Sequence, residues 1–414
     1  MIWRTSLRAV TATACALVVV AGCAPKVSAP PQNERPSRSV ESPFEGSAEL
    51  PPPDMTDDGP GSLLSVEPLQ QSQDFAQSDV VAMRMVYRST DANGGPTTVS
   101  GIVAIPPGKA PTDGWPVLSF GHDLTGVQQE CAPSLSETLG GYASVISVLS
   151  GRGYVVAMTD YQGLGTDSVH PLLDSMTLGR NMTDAVRAAR HVVPAANNRW
   201  AAFGLGQGGA ATWAANAQAA TYGAGLDLVG AVSVAPLADV TGLADLMETE
   251  KLEPAQYRLA ALIVSSLALE PDTKINPQDF INEKAAALWG YLTNCAVLDP
   301  AQAVAAAAGL TAADFKPRTP EATQQLRSDM QAMALPGPLN LSAPMLVVYA
   351  SIDPVVLPGW TEQAIRTACS RGDPIEVKKI ADVSVLNDIV LFDSVAWIQG
   401  RFAGQQPTNL CVGV

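Results

Sequence analysis

Apolar positions in this chain come in short blocks, and the blocks alternate with longer amphipathic stretches. Residues 83–90 and 97–105 read as an opening pair of antiparallel strands. Residues 116–120, Pro-Val-Leu-Ser-Phe, have the length and composition of a buried strand. Helical spacing follows over 136–150, then another buried strand over 154–158. The rhythm repeats as a helix over 176–193, a strand at Trp200, a helix over 210–220 and a strand over 228–234. Further strands are expected at 345–349 and 375–380, and a last helix at 388–402. Regular alternation of this kind predicts an α/β fold, a mostly parallel sheet with helices on both faces. Between 237 and 343 the rhythm breaks. Ala-rich helical stretches such as 257–269 and 282–292 follow one another without a strand, which predicts an inserted helical cap.

Residues 1–22 stand outside this pattern. Arg4 and Arg8 precede an apolar run over 9–21 that is too short to span a bilayer and reads as a signal peptide. The run ends Val20-Ala21-Gly22-Cys23, which resembles the bacterial lipobox. Cys23 would then be lipidated and would begin the mature chain. Residues 23–62 are rich in Pro, Ser and acid, as expected of a disordered tether, with Asp54, Asp57 and Asp58 a solvated run. The folded domain is expected over 63–414, anchored at the outer face of the cell membrane.

Composition narrows the classes. Apolar residues make up 47% of the 414 and charged residues 16%, enough core for one large domain with an insertion. A net charge of −15 removes nucleic acid as a partner, since phosphate binding needs a basic footprint. Cys131, Cys295, Cys369 and Cys411 remain once Cys15 leaves with the signal and Cys23 takes the lipid. Four cysteines in an exported chain allow three disulfide pairings. No Cys-x-x-Cys or His cluster suggests a metal, and no cofactor is expected.

The densest motif is Phe203-Gly204-Leu205-Gly206-Gln207-Gly208-Gly209, between an apolar strand and a helix. Its glycines fit a dinucleotide-binding turn, but that turn belongs at the first strand, and an acid should close the following strand. Here several strands precede it and Asp239 comes late. The alternative is a hydrolase nucleophile elbow, G-x-S-x-G, with Gly206 in the serine's place. That reading also requires an oxyanion loop after an early strand and an acid after a late one. Gly121-His122-Asp123-Leu124-Thr125-Gly126 and Ser351-Ile352-Asp353-Pro354 supply both.

Taken in order, these motifs resemble the secretory lipases of fungi and actinobacteria. The resemblance also includes Cys131-Ala132-Pro133-Ser134, Asp160-Tyr161-Gln162-Gly163-Leu164-Gly165-Thr166, His170-Pro171, Asp184-Ala185-Val186-Arg187 and Ala396-Trp397-Ile398-Gln399-Gly400. It covers roughly residues 65–412. It implies an α/β-hydrolase fold with a helical cap, hydrolysis of acylglycerols and other esters, and disulfides Cys131–Cys295 and Cys369–Cys411. The oxyanion donors it implies are the backbone N–H groups of Gln207 and of the Asp123 loop.

The chain departs from the family where chemistry is done. The family motif G-H-S-Q-G-G reads Gly204-Leu205-Gly206-Gln207-Gly208-Gly209 here. The resemblance places the catalytic acid at Asp353 and the histidine near Val383. In this fold the order along the chain is Ser, acid, His. The three histidines, His122, His170 and His191, all precede the elbow. Nucleophile and base are therefore both missing, and losing either costs about six orders of magnitude in turnover.

The expected product is an inactive lipase-like lipoprotein that binds a lipid, an acylated glycan or a protein partner at the envelope. An ester hydrolase using unconventional residues and a scaffold with a filled pocket are the alternatives. His122 reads as a structural residue holding its loop, His170 as a turn residue and His191 as a helix C-terminal charge. Ser119 lies inside a strand with no base near it. Trp213, Trp289 and Tyr291 read as core at helical spacing rather than as an acyl pocket.

Overall fold

The computed structural model describes residues 51–69, 73–295, 300–382, 388–408 and 410–412. Nine strands form one sheet: β1 (Leu63–Pro68), β2 (Val81–Thr90), β3 (Pro96–Ile105), β4 (Trp115–Gly121), β5 (Val155–Thr159), β6 (Ala196–Leu205), β7 (Asp227–Val234), β8 (Met345–Ile352) and β9 (Ile375–Asp382). Their order is β1-β2-β3-β5-β4-β6-β7-β8-β9. The pairs β1–β2, β2–β3 and β3–β5 are antiparallel, and the other five pairs are parallel. This is the α/β-hydrolase arrangement.

Period two sorts the strand residues onto the two faces. Val117, Trp200 and Ala202 pack on one face, and Leu118, Phe120, Ala201 and Phe203 on the other. The first face is covered by α3 (Ser175–Val192), α4 (Gln207–Tyr222) and α10 (Pro358–Ser370). The second carries α1 (Gln73–Ser78), α2 (Ala143–Gly151) and α11 (Asp388–Phe402). Both faces are covered, so the central strands are buried on both sides, as β5 is at every position.

Between β7 and β8 the chain makes α5 (Gly242–Glu248), α6 (Tyr257–Leu269), α7 (Glu283–Thr293), α8 (Pro300–Ala308) and α9 (Pro320–Met333). Cys131 is bonded to Cys295, which ties the loop after β4 to this helical insertion, and Cys369 is bonded to Cys411. No helix among the described residues is long and apolar enough to cross a membrane.

Two expectations are corrected. The helix expected from residue 136 begins at Ala143, because short 3₁₀ turns precede it and Gly140 at φ 66° interrupts regular helix. The end of the expected tether also rests on the domain. The Asp54 N–H donates to the His191 carbonyl at 3.0 Å, and the Gly61 N–H to the Arg88 carbonyl at 2.7 Å. The carboxylates of Asp54 and Asp57 flank the His191 ring at 3.7 and 3.4 Å. Cys23 lies outside the described residues.

Candidate functional site

Strand register assembles the site. In the β4–β6 pair Gly121 stands opposite Gly204, so the loop carrying Asp123 and the turn carrying Gly206 leave the sheet side by side. Backbone packs against backbone there, and a Cβ on Gly208 would lie 2.1 Å from the Gly121 carbonyl oxygen. In the β8–β9 pair Ile352 stands opposite Asp382, so Asp353 follows directly on the strand end beside the end of β9. Val383 itself lies outside the described residues.

Gly206 keeps the elbow's backbone, with φ 54° and ψ −113°, a conformation costly for any residue with a Cβ. The space a side chain would take is occupied. A Cβ on Gly206 would lie 1.9 Å from Asp123 Oδ1, 2.2 Å from its Cγ and 2.6 Å from Oδ2. The Asp123 carboxylate therefore sits in the nucleophile's seat.

Asp123 Oδ1 accepts the Gln207 N–H at 3.1 Å and the Leu124 N–H at 2.7 Å. Gln207 is the first residue of α4, so the carboxylate also meets the positive end of a helix dipole. The Asp123 N–H donates to the Tyr142 hydroxyl at 3.0 Å. Both donors expected to await an oxyanion, on Gln207 and Asp123, are thus satisfied inside the protein.

The Asp123 side chain is exposed to solvent, with protein packed beneath it at Gly206. Crowding by protein raises its carboxyl pKa above the ordinary range, against the opposing pull of the Leu124 and Gln207 N–H groups. The negative charge of Asp353 adds to the rise. Asp353 Oδ1 accepts the N–H groups of Val355 at 2.8 Å and Val356 at 3.0 Å, so it also closes its own turn.

The histidines are structural. His122 is buried, with Nδ1 2.7 Å from the Asp123 carbonyl and Nε2 3.3 Å from the Asp160 carbonyl, and its ring lies 4.6 Å from that of Tyr161. His170 Nδ1 is 2.8 Å from the Gln162 carbonyl and its Nε2 is 2.9 Å from Gln207 Nε2. The Gln207 amide also donates to the Leu172 carbonyl at 2.9 Å, which requires His170 Nε2 to be the acceptor and Nδ1 the protonated nitrogen. Burial pushes the His170 pKa down to about 4 and lowers that of His122, so neither serves as a cationic group near neutrality.

The cap is fastened over this loop. Arg258 of α6 donates to the Leu292 carbonyl at 2.6 Å and the Thr125 carbonyl at 3.5 Å, and Ser266 donates to the His170 carbonyl at 2.7 Å. Ser119 is buried and donates to the Met182 carbonyl. Trp213 is buried in the core, Trp289 is partly buried against the core cluster, and Tyr291 is exposed. Two concavities of about 290 and 510 Å³ lie away from the elbow, the first beside Arg190 and His191 and the second on α9. Among the described residues no group of three or more His, Cys, Asp or Glu is placed to hold a metal.

A family model for secretory lipases matches residues 136–409. The chain belongs to the secretory lipase family. A curated Mycobacterium tuberculosis protein named as a probable inactive lipase is 24% identical over 377 residues, covering 84% of this chain and 80% of its own. Candida antarctica lipase A in its closed state superposes with a TM-score of 0.68 at 18% identity, over 90% of this chain and 88% of that one. The rice cell wall degrading esterase LipA from Xanthomonas oryzae, in a ligand-bound form, gives 0.65 at 19% identity, over 84% of this chain and 100% of that one. At these identities the solved structures establish the α/β-hydrolase fold. Membership in a family of secreted lipases is in keeping with an exported chain.

The sequence reading named Asp123 for its backbone and missed both its carboxylate and Tyr142. The one sequence signal is indirect. A glycine in the serine's place leaves a volume, and an acid two residues after the paired Gly121 can reach it.

Proposed function

We propose that this protein is a lipase-like binding protein without hydrolytic turnover, held at the outer face of the cell membrane through Cys23. The observation that carries this reading is the Asp123 carboxylate in the seat of the nucleophile, above a glycine that offers no side chain. An acyl carbonyl would find neither an attacking group nor a free Gln207 N–H. The absence of histidine after His191 removes the general base as well. The M. tuberculosis relative named as a probable inactive lipase supports the same reading. Candidate ligands are a lipid or acylated glycan in the former cleft and an envelope protein on the cap.

The test is direct. A fluorophosphonate probe should leave the protein unlabelled, and p-nitrophenyl butyrate should turn over no faster than with serum albumin. Stoichiometric labelling of any serine overturns the reading and favours an active hydrolase. Cys23→Ala should release the protein from the membrane fraction. Retention of that variant, with no diacylglycerol on the wild type, would remove the lipid anchor from the proposal.

A further inference from the structure

Arg187, Arg190 and His191 stand at i, i+3 and i+4 near the C-terminus of α3, so they share one face of that helix. Cations at this end suit the helix dipole, which accounts for their presence but not for what they surround. All three border the concavity of about 290 Å³, a volume close to the lower limit of small-molecule sites. Asp57 borders it as well, and Pro60 and Leu226 give it apolar walls. Strand β6 leads from Ala196, just beyond the end of α3, to Leu205 at the elbow, so this concavity lies at the other end of the sheet from Gly206.

Two of the three basic side chains are already engaged. Arg187 is paired with Asp184 and donates to the Tyr222 carbonyl. The carboxylates of Asp54 and Asp57 flank His191 at 3.7 and 3.4 Å. Arg190 differs. Its Nε is buried with no acceptor, and among the described residues no carboxylate lies within ion-pair distance of its guanidinium. A half-buried guanidinium with an enclosed donor unused calls for an acceptor. Asp57 does not supply it. Its Oδ1 accepts the N–H groups of Asp58 at 2.8 Å and Gly59 at 3.4 Å, and its Oδ2 faces the His191 ring.

A ligand must therefore bring its own anion in beside a fixed carboxylate. A carboxylate ligand carries a single charge, which Asp57 already matches. A phosphate monoester carries up to two charges and three oxygens near neutrality, and the planar fork of an arginine can hold it through two N–H groups at once. The apolar walls of Pro60 and Leu226 suit a short carbon carrier beside the phosphate.

We propose that this concavity binds a phosphate monoester on a small carrier, free or as a lipid head group, with Arg190 as the residue that grips the phosphate. Asp57 belongs to the segment that leads in from the tether, and its charge opposes the ligand. The site shares no residue with the elbow, so it stands independently of the non-hydrolytic reading.

The experiment is a calorimetric titration of the full-length protein in a neutral detergent at about pH 7.5, where phosphate monoesters are largely dianionic. The probes are glycerol phosphate, dihexanoyl phosphatidate, glycerate and sulfate. At least one of the two phosphate esters should bind with a Kd of about 1 mM or tighter, and at least about tenfold more tightly than glycerate and sulfate. Tighter binding of phosphatidate assigns the ligand to a lipid head group and tighter binding of glycerol phosphate to a free ester, and either agrees with the proposal. Arg190→Gln should weaken the better ester at least about tenfold. Asp57→Asn leaves Arg190 in place and should bind that ester at least as tightly as the wild type, which keeps the test decisive if the Gln variant does not fold. The proposal is overturned if neither ester binds, or if glycerate or sulfate comes within tenfold of the better ester. It is equally overturned if Arg190→Gln loses less than tenfold, or if Asp57→Asn binds more weakly than the wild type.

Discussion

The Asp123 carboxylate and the bare α-carbon of Gly206 share one space: a Cβ at 206 would lie 1.9 Å from Asp123 Oδ1. Serine cannot return to position 206 unless Asp123 moves. Gly206→Ser should destabilise the domain by about 2–4 kcal/mol, from overpacking together with the strained backbone at φ 54°. Combining it with Asp123→Gly should recover part of the loss, with a coupling of about 1–3 kcal/mol in a urea-denaturation double-mutant cycle. Additive losses would mean that the two side chains do not compete. Neither variant should hydrolyse esters. Adding Val383→His to Gly206→Ser should also give no turnover while Asp123 retains the Gln207 N–H.

His170 makes the fold sensitive to acid. Its pKa is pushed down to about 4 by burial, against an ordinary value of 6.5. A depressed histidine pKa favours the neutral form in the fold. The stability it contributes is complete above about 6.5 and is lost as pH falls towards about 4, up to about 3 kcal/mol. Urea midpoints between about pH 7 and pH 4.5 should fall less steeply for His170→Gln than for the wild type. An identical slope in the two proteins would assign the acid sensitivity elsewhere.

Glu270, at the end of α6, acts in the opposite direction. Its pKa is raised to about 7, first by burial and then by the carboxylates of Asp174, Asp272 and Asp91. One carboxyl oxygen, Oε1, is buried without a partner. A raised carboxyl pKa means that the protonated form suits the fold, so its contribution is complete below about 4.5 and is lost as pH rises through about 7. Glu270→Gln should therefore raise the melting temperature above about pH 7 and leave it nearly unchanged near pH 4. A variant less stable than the wild type at about pH 8 would contradict this assignment.

The Cys131–Cys295 bond joins positions 164 residues apart and fastens the loop after β4 to the cap. Replacing both cysteines by alanine should cost about 3–5 kcal/mol, chiefly by freeing the unfolded chain. The variant should also show faster amide exchange at Leu124 to Val127 than at β6, because that loop loses its covalent tie to the cap and keeps the Arg258–Thr125 hydrogen bond and apolar packing. Uniform exchange across both segments would mean that the bond does not secure the loop.

Much of the architecture was legible locally. Short continuous apolar blocks mark β4 to β8, because strands covered on both faces bury nearly every residue rather than alternate ones. Tyr257–Leu269 is found as a helix over the residues that its apolar spacing indicates. The edge strand β1 and helices α1, α9 and α10 escaped that reading; β1 is short and half exposed, with little apolar alternation to mark it.

The missing nucleophile and downstream histidine were also written in the sequence. No fold gives Gly206 a side chain, and none supplies a histidine downstream of His191. What fills the vacant seat was decided only in three dimensions. The register that sets Gly121 opposite Gly204 brings Asp123 over Gly206, and the packing of Tyr142 beside Phe120, ring centroids 5.5 Å apart, brings its hydroxyl to the Asp123 N–H. Such contacts join groups far apart along the chain. Residue-by-residue propensity carries no information about them, because they depend on how strands pair and on which volume is left unfilled once they do.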